Sequence, residues 1–199
     1  RPSGHRAWPV CRPPRLLGRQ PAWRRARLIL APPDVRRALV IRAADQPGDL
    51  GWIVMANGEA YAEQFGWSAE FEALVARIIA DFAAGHDPAR EAAWIAEVDG
   101  ERAGSILLLD GGEPGLAKLR VLLVTSPARG LGAGTALVAT CLDFARAAAY
   151  ERVTLWTNDV LTSARRIYEA AGFVLTDEAP HRSFGRDLVG RNWSLTLGG

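Results

Sequence analysis

Residues 126–137, SPARGLGAGTAL, place an arginine and three glycines (Arg129, Gly130, Gly132 and Gly134) between an apolar run and an apolar helix. Glycine weakens helices and strands alike, so three within five residues imply that the backbone itself must come close to something. A row of backbone N–H groups at a helix start carries partial positive charge and binds anions, phosphate above all. Arg129 adds a full charge beside that row. Two familiar phosphate loops do not fit. A P-loop ends in Gly-Lys-Ser/Thr, and here Gly134 is followed by Thr135 with no lysine. A dinucleotide turn needs G-x-G-x-x-G after a first strand, with an acid ending the next one. Here the glycines alternate, and the next strand ends in Trp156-Thr157-Asn158. What remains is a cradle of backbone N–H groups at the helix start, in which Gly132 and Gly134 let a pyrophosphate approach the backbone.

Such a cradle needs a strand before it and a helix after it, and the chain supplies both. LAKLRVLLV (116–124) reads as an apolar central strand, and residues 134–148 read as a helix apolar around most of its circumference. Upstream, ALVIRAA (38–44) reads as a strand and LGWIVMANGEAYAEQFG (50–66) as a helix. In 68–85, Phe71, Leu74, Val75, Ile78, Ile79 and Phe82 form one stripe at helical spacing. AAWIAEV and RAGSILLLD flank Asp99-Gly100, a strong hairpin signal. Downstream come a strand at 152–157, a short helix at 163–172, and the strands FVLTDE and NWSLTL. The order β-α-α-β-β-β-α-β-α-β-β predicts a single α+β domain with no internal repeat.

At this point the sequence resembles the GNAT N-acetyltransferase family. Its acetyl-CoA motif is Arg or Gln, two residues, Gly, one residue, then Gly or Ala, and Arg129-Gly130-Leu131-Gly132-Ala133-Gly134 matches it. The preceding LLV, the following LV, and Ala164, Tyr168, Glu169, Gly172 and Phe173 stand at the family's spacing, so the resemblance covers about residues 38–199. It implies the GNAT acyl-CoA N-acyltransferase fold: a mixed, mostly antiparallel sheet with splayed central strands and flanking helices. It also implies acetyl-CoA as co-substrate, with no metal. The splayed strand would offer Leu122, Leu123 and Val124 to the pantetheine arm. Arg129, Gly130, Leu131, Gly132, Ala133, Gly134 and Thr135 would hold the pyrophosphate, and Ser163 and Ala164 would face the cofactor. Where many members place a pantetheine-binding Asn, this chain has Leu161; Asn158, three residues earlier, either caps the turn or reaches the cofactor from a different angle. More narrowly, PGDLGWIV, YAEQFGW, FEALVARI, LWTNDVL and HRSFGRDLVG resemble the acetyltransferase half of bacterial MarR-type regulator fusions. Residues 1–37 are too few for a winged helix-turn-helix.

Acetyl transfer to an amine needs a neutral nitrogen and a proton for the departing thiolate. Tyr168, one helical turn past Ala164 and near the family's thiol-side tyrosine, is the expected donor. For the base, Glu97, Glu113 and His181 stay open: Glu97 ends a hairpin strand and Glu113 precedes the splayed strand. His181 sits in a polar loop before the last strand, with a side chain suited to proton transfer.

Composition bounds the rest. The chain has 199 residues, 49% hydrophobic and 23% charged, enough for one domain with a sizeable core. No uncharged apolar run nears the 18 residues a membrane span needs, so no membrane partner is expected. Cys11 and Cys141 make no disulfide framework, which suits a reducing, cytoplasmic setting. Residues 1–37 hold ten arginines, seven prolines and one acid, and read as a disordered arm, the sole route to nucleic acid. The other 162 residues carry 14 basic and 21 acidic groups, a net of −7, which favours a cationic acceptor by steering. A homodimer is compatible with this reading. An acyl-CoA sensor without turnover and a DNA-binding regulator are the competing readings.

Overall fold

The computed structural model describes residues 37–198. The arm read over 1–37 lies outside this range but for its last residue, and so does Cys11. The elements follow the expected order. They are β1 (Leu39–Ala43), α1 (Asp49–Phe65), α2 (Ala69–Gly85), β2 (Ala92–Val98), β3 (Glu101–Asp110), β4 (Leu116–Val124), α3 (Ala133–Ala147), β5 (Arg152–Asn158), α4 (Thr162–Ala170), β6 (Val174–Ser183) and β7 (Arg186–Thr196). One seven-stranded sheet runs β1-β2-β3-β4-β5-β7-β6. Every neighbouring pair is antiparallel except β4 with β5.

Alternation along the strands loads both faces of this sheet. Trp94, Ala96 and Val98 of β2 and Ile106 and Leu108 of β3 pack with Leu137, Val138, Cys141 and Ala145 of α3. Ala93, Ile95 and Leu107 point the other way, against Ile53 of α1 and Val75, Ile79 and Phe82 of α2. The stripe read on 68–85 is therefore the buried face of α2. A third cluster of Trp67, Phe184 and Leu188 joins the end of α1 to the β6–β7 hairpin. The turn at Asp99-Gly100 has φ of 55° and 83°, as its two-residue hairpin requires.

The last two strands differ from expectation. FVLTDE and NWSLTL are the outer ends of a long hairpin whose β6 runs to Ser183 and whose β7 starts at Arg186. Its turn is Phe184-Gly185, with φ of 56° and 75°. An aromatic in left-handed backbone is not a turn signal, and β6, an edge strand exposed along its first seven residues, lacks alternation. His181 consequently lies on a strand, paired with Leu188, and not in a polar loop.

Candidate active site

The site begins where the sheet comes apart. β4 and β5 pair only through Leu116, Ala117 and Lys118 with Arg152, Val153 and Thr154. Beyond that the strands diverge, while β4 stays bonded to β3 as far as Val124. A β-bulge in β4, between Arg120 and Leu123, marks the divergence: Ser105 faces Leu123 and Leu107 faces Arg120, so β4 carries one extra residue. At the bulge Val121 has φ 53°, a costly conformation for a β-branched residue. The fully buried Ser105 donates its hydroxyl to the Val121 carbonyl at 3.3 Å, bracing the bulge.

Directly after β4 the chain turns through Ser126–Ala128 and enters α3 with no side-chain cap at Gly132. The N–H groups of Gly130, Gly132, Ala133, Gly134 and Thr135 find no acceptor among the described residues, and Ala136 is the first to bond back, to Gly132. Two members of the expected cradle behave otherwise. Leu131 spends its N–H on the Ala128 carbonyl and turns a 38% exposed side chain outward, so it is not a wall of the cleft. Gly134 has a different purpose from the one its spacing suggested. A Cβ there would meet Ile167 Cδ1 at 2.6 Å, so this glycine admits α4 against α3. Gly130 and Gly132 fit the phosphate reading: both are left-handed, φ 78° and 80°, and a Cβ on either would point into open space.

These parts enclose a cleft of about 540 Å³. Its floor is Leu122, Leu123 and Val124; one wall is Arg129 to Thr135 without Leu131, and the other is Val160 to Ala164 with Ile167. Ser163 is on that second wall. Tyr61, Gln64 and Phe65 of α1 close it. A smaller recess of about 90 Å³ occupies the gap between the splayed strands and shares Tyr61, Leu122, Leu161 and Ala164 with the cleft. Open backbone donors, a cation at Arg129 and a cleft adjoining the gap in the sheet are what a phosphate-bearing thioester requires. Among the described residues no group of three His, Cys, Asp or Glu is placed to hold a metal.

Tyr168 lines the recess, its ring edge-on to Phe173 at 5.9 Å between centroids. Burial pushes its phenol well above the usual range, so it holds its proton. Burial likewise raises Tyr61, to about 12. Asn158, expected on the cofactor, lines the recess and not the larger cleft, because β5 ends there. Its Oδ1 accepts a hydrogen bond from His181 Nε2 at 2.8 Å, and Ser183 Oγ donates to Nδ1 at 3.0 Å. Both ring nitrogens of His181 are thus engaged, and the ring reaches the recess only through Asn158.

The two glutamates lie elsewhere. Glu113 sits at the opposite end of β4, about 30 Å of strand from Val124 at ~3.3 Å per residue. Its carboxylate is exposed and 3.6 Å from Arg152. Preceding the splayed strand in sequence put it at the unsplayed end in space. Glu97 is bonded by Arg42 at 2.6 Å, two strands away from the splay.

Residues 51–173 match the model of the Acetyltransferase (GNAT) family. The chain belongs to the GNAT acetyltransferase family. Human N-acetyltransferase 8B is 34% identical over 90 residues, covering 43% of this chain and 40% of that protein. N-acetylaspartate synthetase of Xenopus tropicalis is 32% identical over 80 residues, 40% of this chain and 30% of that protein. The chain thus spans less than half the length of the curated relatives it matches. A GNAT acetyltransferase from Staphylococcus aureus superposes with a TM-score of 0.67 at 16% identity, over 81% of this chain and 100% of that one. The Salmonella typhimurium protein yncA, solved with its cofactor acetyl-CoA, gives 0.64 at 19% identity over 81% and 95%. These structures share the GNAT fold: a mixed seven-stranded sheet flanked by four helices.

Several walls of this GNAT site were not singled out from the sequence. Tyr61, Gln64 and Phe65 looked like ordinary positions of an amphipathic helix. The bulge at Val121 contradicts local propensity and left no trace. Arg120 did leave one, since a charge inside the central strand LAKLRVLLV must be compensated or used.

Proposed function

We propose that this GNAT domain transfers the acetyl group of acetyl-CoA to a primary amine entering the recess between β4 and β5. The observation that carries the reading is the adjacency of the two cavities: the cleft beside the unbonded N–H row at α3 shares Tyr61, Leu122, Leu161 and Ala164 with the recess that Tyr168 lines. Acetyl-CoA supplies an activated acyl group as a thioester. Arg129 and the N–H groups of Gly130, Gly132, Ala133, Gly134 and Thr135 would hold its pyrophosphate. Leu122, Leu123 and Val124, freed from β5 by the splay, would bond the pantetheine. Ser163 begins the facing wall.

Tyr168 would donate its hydroxyl proton to the departing thiolate and recover one as the acceptor nitrogen sheds its own. The His181–Asn158 pair would fix the acceptor-side wall. Among the described residues no Asp, Glu or His lines either cavity, so the amine would enter already neutral. The likeness to the acetyltransferase domain of bacterial MarR-type fusions supports an enzyme of that kind, and the free, buried Cys141 supports a cytoplasmic one.

The test is thiol release from acetyl-CoA across a panel of amines, with products read by mass spectrometry. Amine-dependent release with an acetylated product is expected. Tight acetyl-CoA binding without release on any amine would instead make the protein a sensor. Salt-sensitive DNA binding lost on deleting residues 1–37 would make it a regulator.

A further inference from the structure

Arg120 lines the recess, and it forms no ion pair among the described residues. Its Nε is buried and has no hydrogen-bond partner among the described residues. The recess walls hold no carboxylate. Other half-covered arginines have a carboxylate at hand: Arg42 and Arg102 meet Asp49, Arg191 meets Glu178, and Arg165, whose Nε also lacks a hydrogen bond, has Glu169 at 3.6 Å. A buried donor left unbonded is rare and costly, so a partner is expected in the working complex. The guanidinium fork matches a carboxylate or phosphate. The phosphates of the co-substrate are not that partner, because Arg120 is no wall of the larger cleft.

We propose that Arg120 receives the carboxylate of the acceptor, and that the acceptor is a free α-amino acid with an apolar side chain. This rests on the acetyl-transfer reading above and names its substrate class. Arg120 stands two residues before Leu122, which is shared by both cavities. The group that binds the anion and the wall of the thioester cleft therefore come from one short stretch. An acceptor must present its carboxylate and its amine close together, as an α-amino acid does and a polyamine does not. Trp67, Phe71, Leu74 and Ile78 line the same recess and suit an alkyl or aromatic side chain. In the reaction an N–C bond forms and the C–S bond breaks. One proton leaves the amine and one reaches sulfur; Arg120 exchanges none.

The experiment compares kcat/KM, per neutral amine, for L-leucine against L-leucinamide and L-phenylalanine against L-phenylalaninamide, with spermidine as a carboxylate-free cation. The full chain is used, with wild type, Arg120→Met and Arg120→Lys. Wild type should prefer each acid by on the order of 10²-fold or more, because the amide leaves Arg120 unpaired. The preference should collapse to about threefold or less in Arg120→Met and be intermediate in Arg120→Lys, which keeps the charge but not the fork. Equal rates on acid and amide in wild type, a preference for spermidine, or an unchanged ratio in Arg120→Met would overturn the assignment. If circular dichroism shows Arg120→Met unfolded, the wild-type and Arg120→Lys ratios decide. If no amine turns over, N-acetyl-L-leucine and N-acetyl-L-leucinamide are titrated calorimetrically into protein saturated with CoA. Acid-selective binding that weakens in Arg120→Lys and is lost in Arg120→Met would then sustain Arg120 while the transfer reading falls, and equal binding would overturn both.

Discussion

Single residues in this site carry two kinds of information, and only one can be read from spacing. Gly130, Gly132 and Gly134 look equivalent in the motif, yet the first two supply left-handed backbone and open space while the third makes room for Ile167. The difference depends on α4, which contributes from thirty residues away in the chain. Glu113 shows the same limit: it precedes the strand that carries site residues, but that strand places it at the far end of the sheet. Gly132 allows a clean separation of conformation from charge. Gly132→Ala should cost roughly 1–2 kcal/mol of stability from a side chain in left-handed backbone, with acetyl-CoA affinity little changed. Gly132→Glu carries the same strain and adds a carboxylate beside the N–H row, so affinity should fall by a further ~1.5–3 kcal/mol. Calorimetry on the two folded variants checks this. Equal affinities for the alanine and glutamate variants would mean that the phosphates lie elsewhere.

At the scale of elements, the order of all eleven was legible because most strands and helices bury one face and so show their period. The exceptions are instructive. β6 is an edge strand with little to bury, and its turn uses Phe184 at positive φ, so its hairpin partner was read short. The bulge in β4 is held by tertiary contacts, Ser105 among them, against the preference of Val121 itself. A second device invisible in the sequence ties the first strands to the first helix. Asp49, fully buried at the start of α1, takes hydrogen bonds from Arg42 of β1, Arg102 of β3 and the Gln46 N–H. The Arg42 bonds, chiefly, hold its carboxyl at about 2, against an ordinary value of 3.8, while burial opposes them. A lowered folded-state pKa stabilises the fold above the unfolded pKa and loses that effect as pH falls. The contribution, about 2 kcal/mol, should be complete above pH ~4 and vanish between about 4 and 2. Urea melts across that window should show the slope in wild type and a flatter one in Asp49→Asn. At neutral pH the variant should be less stable by about 3–5 kcal/mol, since two guanidinium groups lose their shared partner. Parallel slopes in the two proteins would assign the acid sensitivity to other carboxylates.

Across the whole molecule the charge distribution and the site's own charge point in opposite directions. The 162 residues after the arm carry a net of −7, which draws cations from solution. Inside the recess the uncompensated charge is Arg120, and at contact distance a desolvated group outweighs a screened field whose reach is about 8 Å in physiological salt. An amino acid satisfies both, its ammonium feeling the field outside and its carboxylate meeting Arg120 within. It also has to lose a proton, and no acid or imidazole lines either cavity to take it. Because kcat/KM reports free enzyme and free substrate, it should rise tenfold per pH unit and level off at the acceptor's own amine pKa. Burial keeps both Tyr61, at about 12, and Tyr168 protonated over that range, so no descending limb should appear below pH ~10. Two acceptors whose amine pKa values differ by about two units should therefore give inflections displaced by the same amount. Tyr168→Phe should lower the plateau by roughly 10²–10⁴-fold without moving either inflection, its ring still packed on Phe173. Were His181 the base, acting through Asn158, the inflection would stay in one place whichever amine was offered. An inflection fixed in that way, and abolished in His181→Gln, would return proton removal to the protein and leave Tyr168 with half of the chemistry assigned to the site.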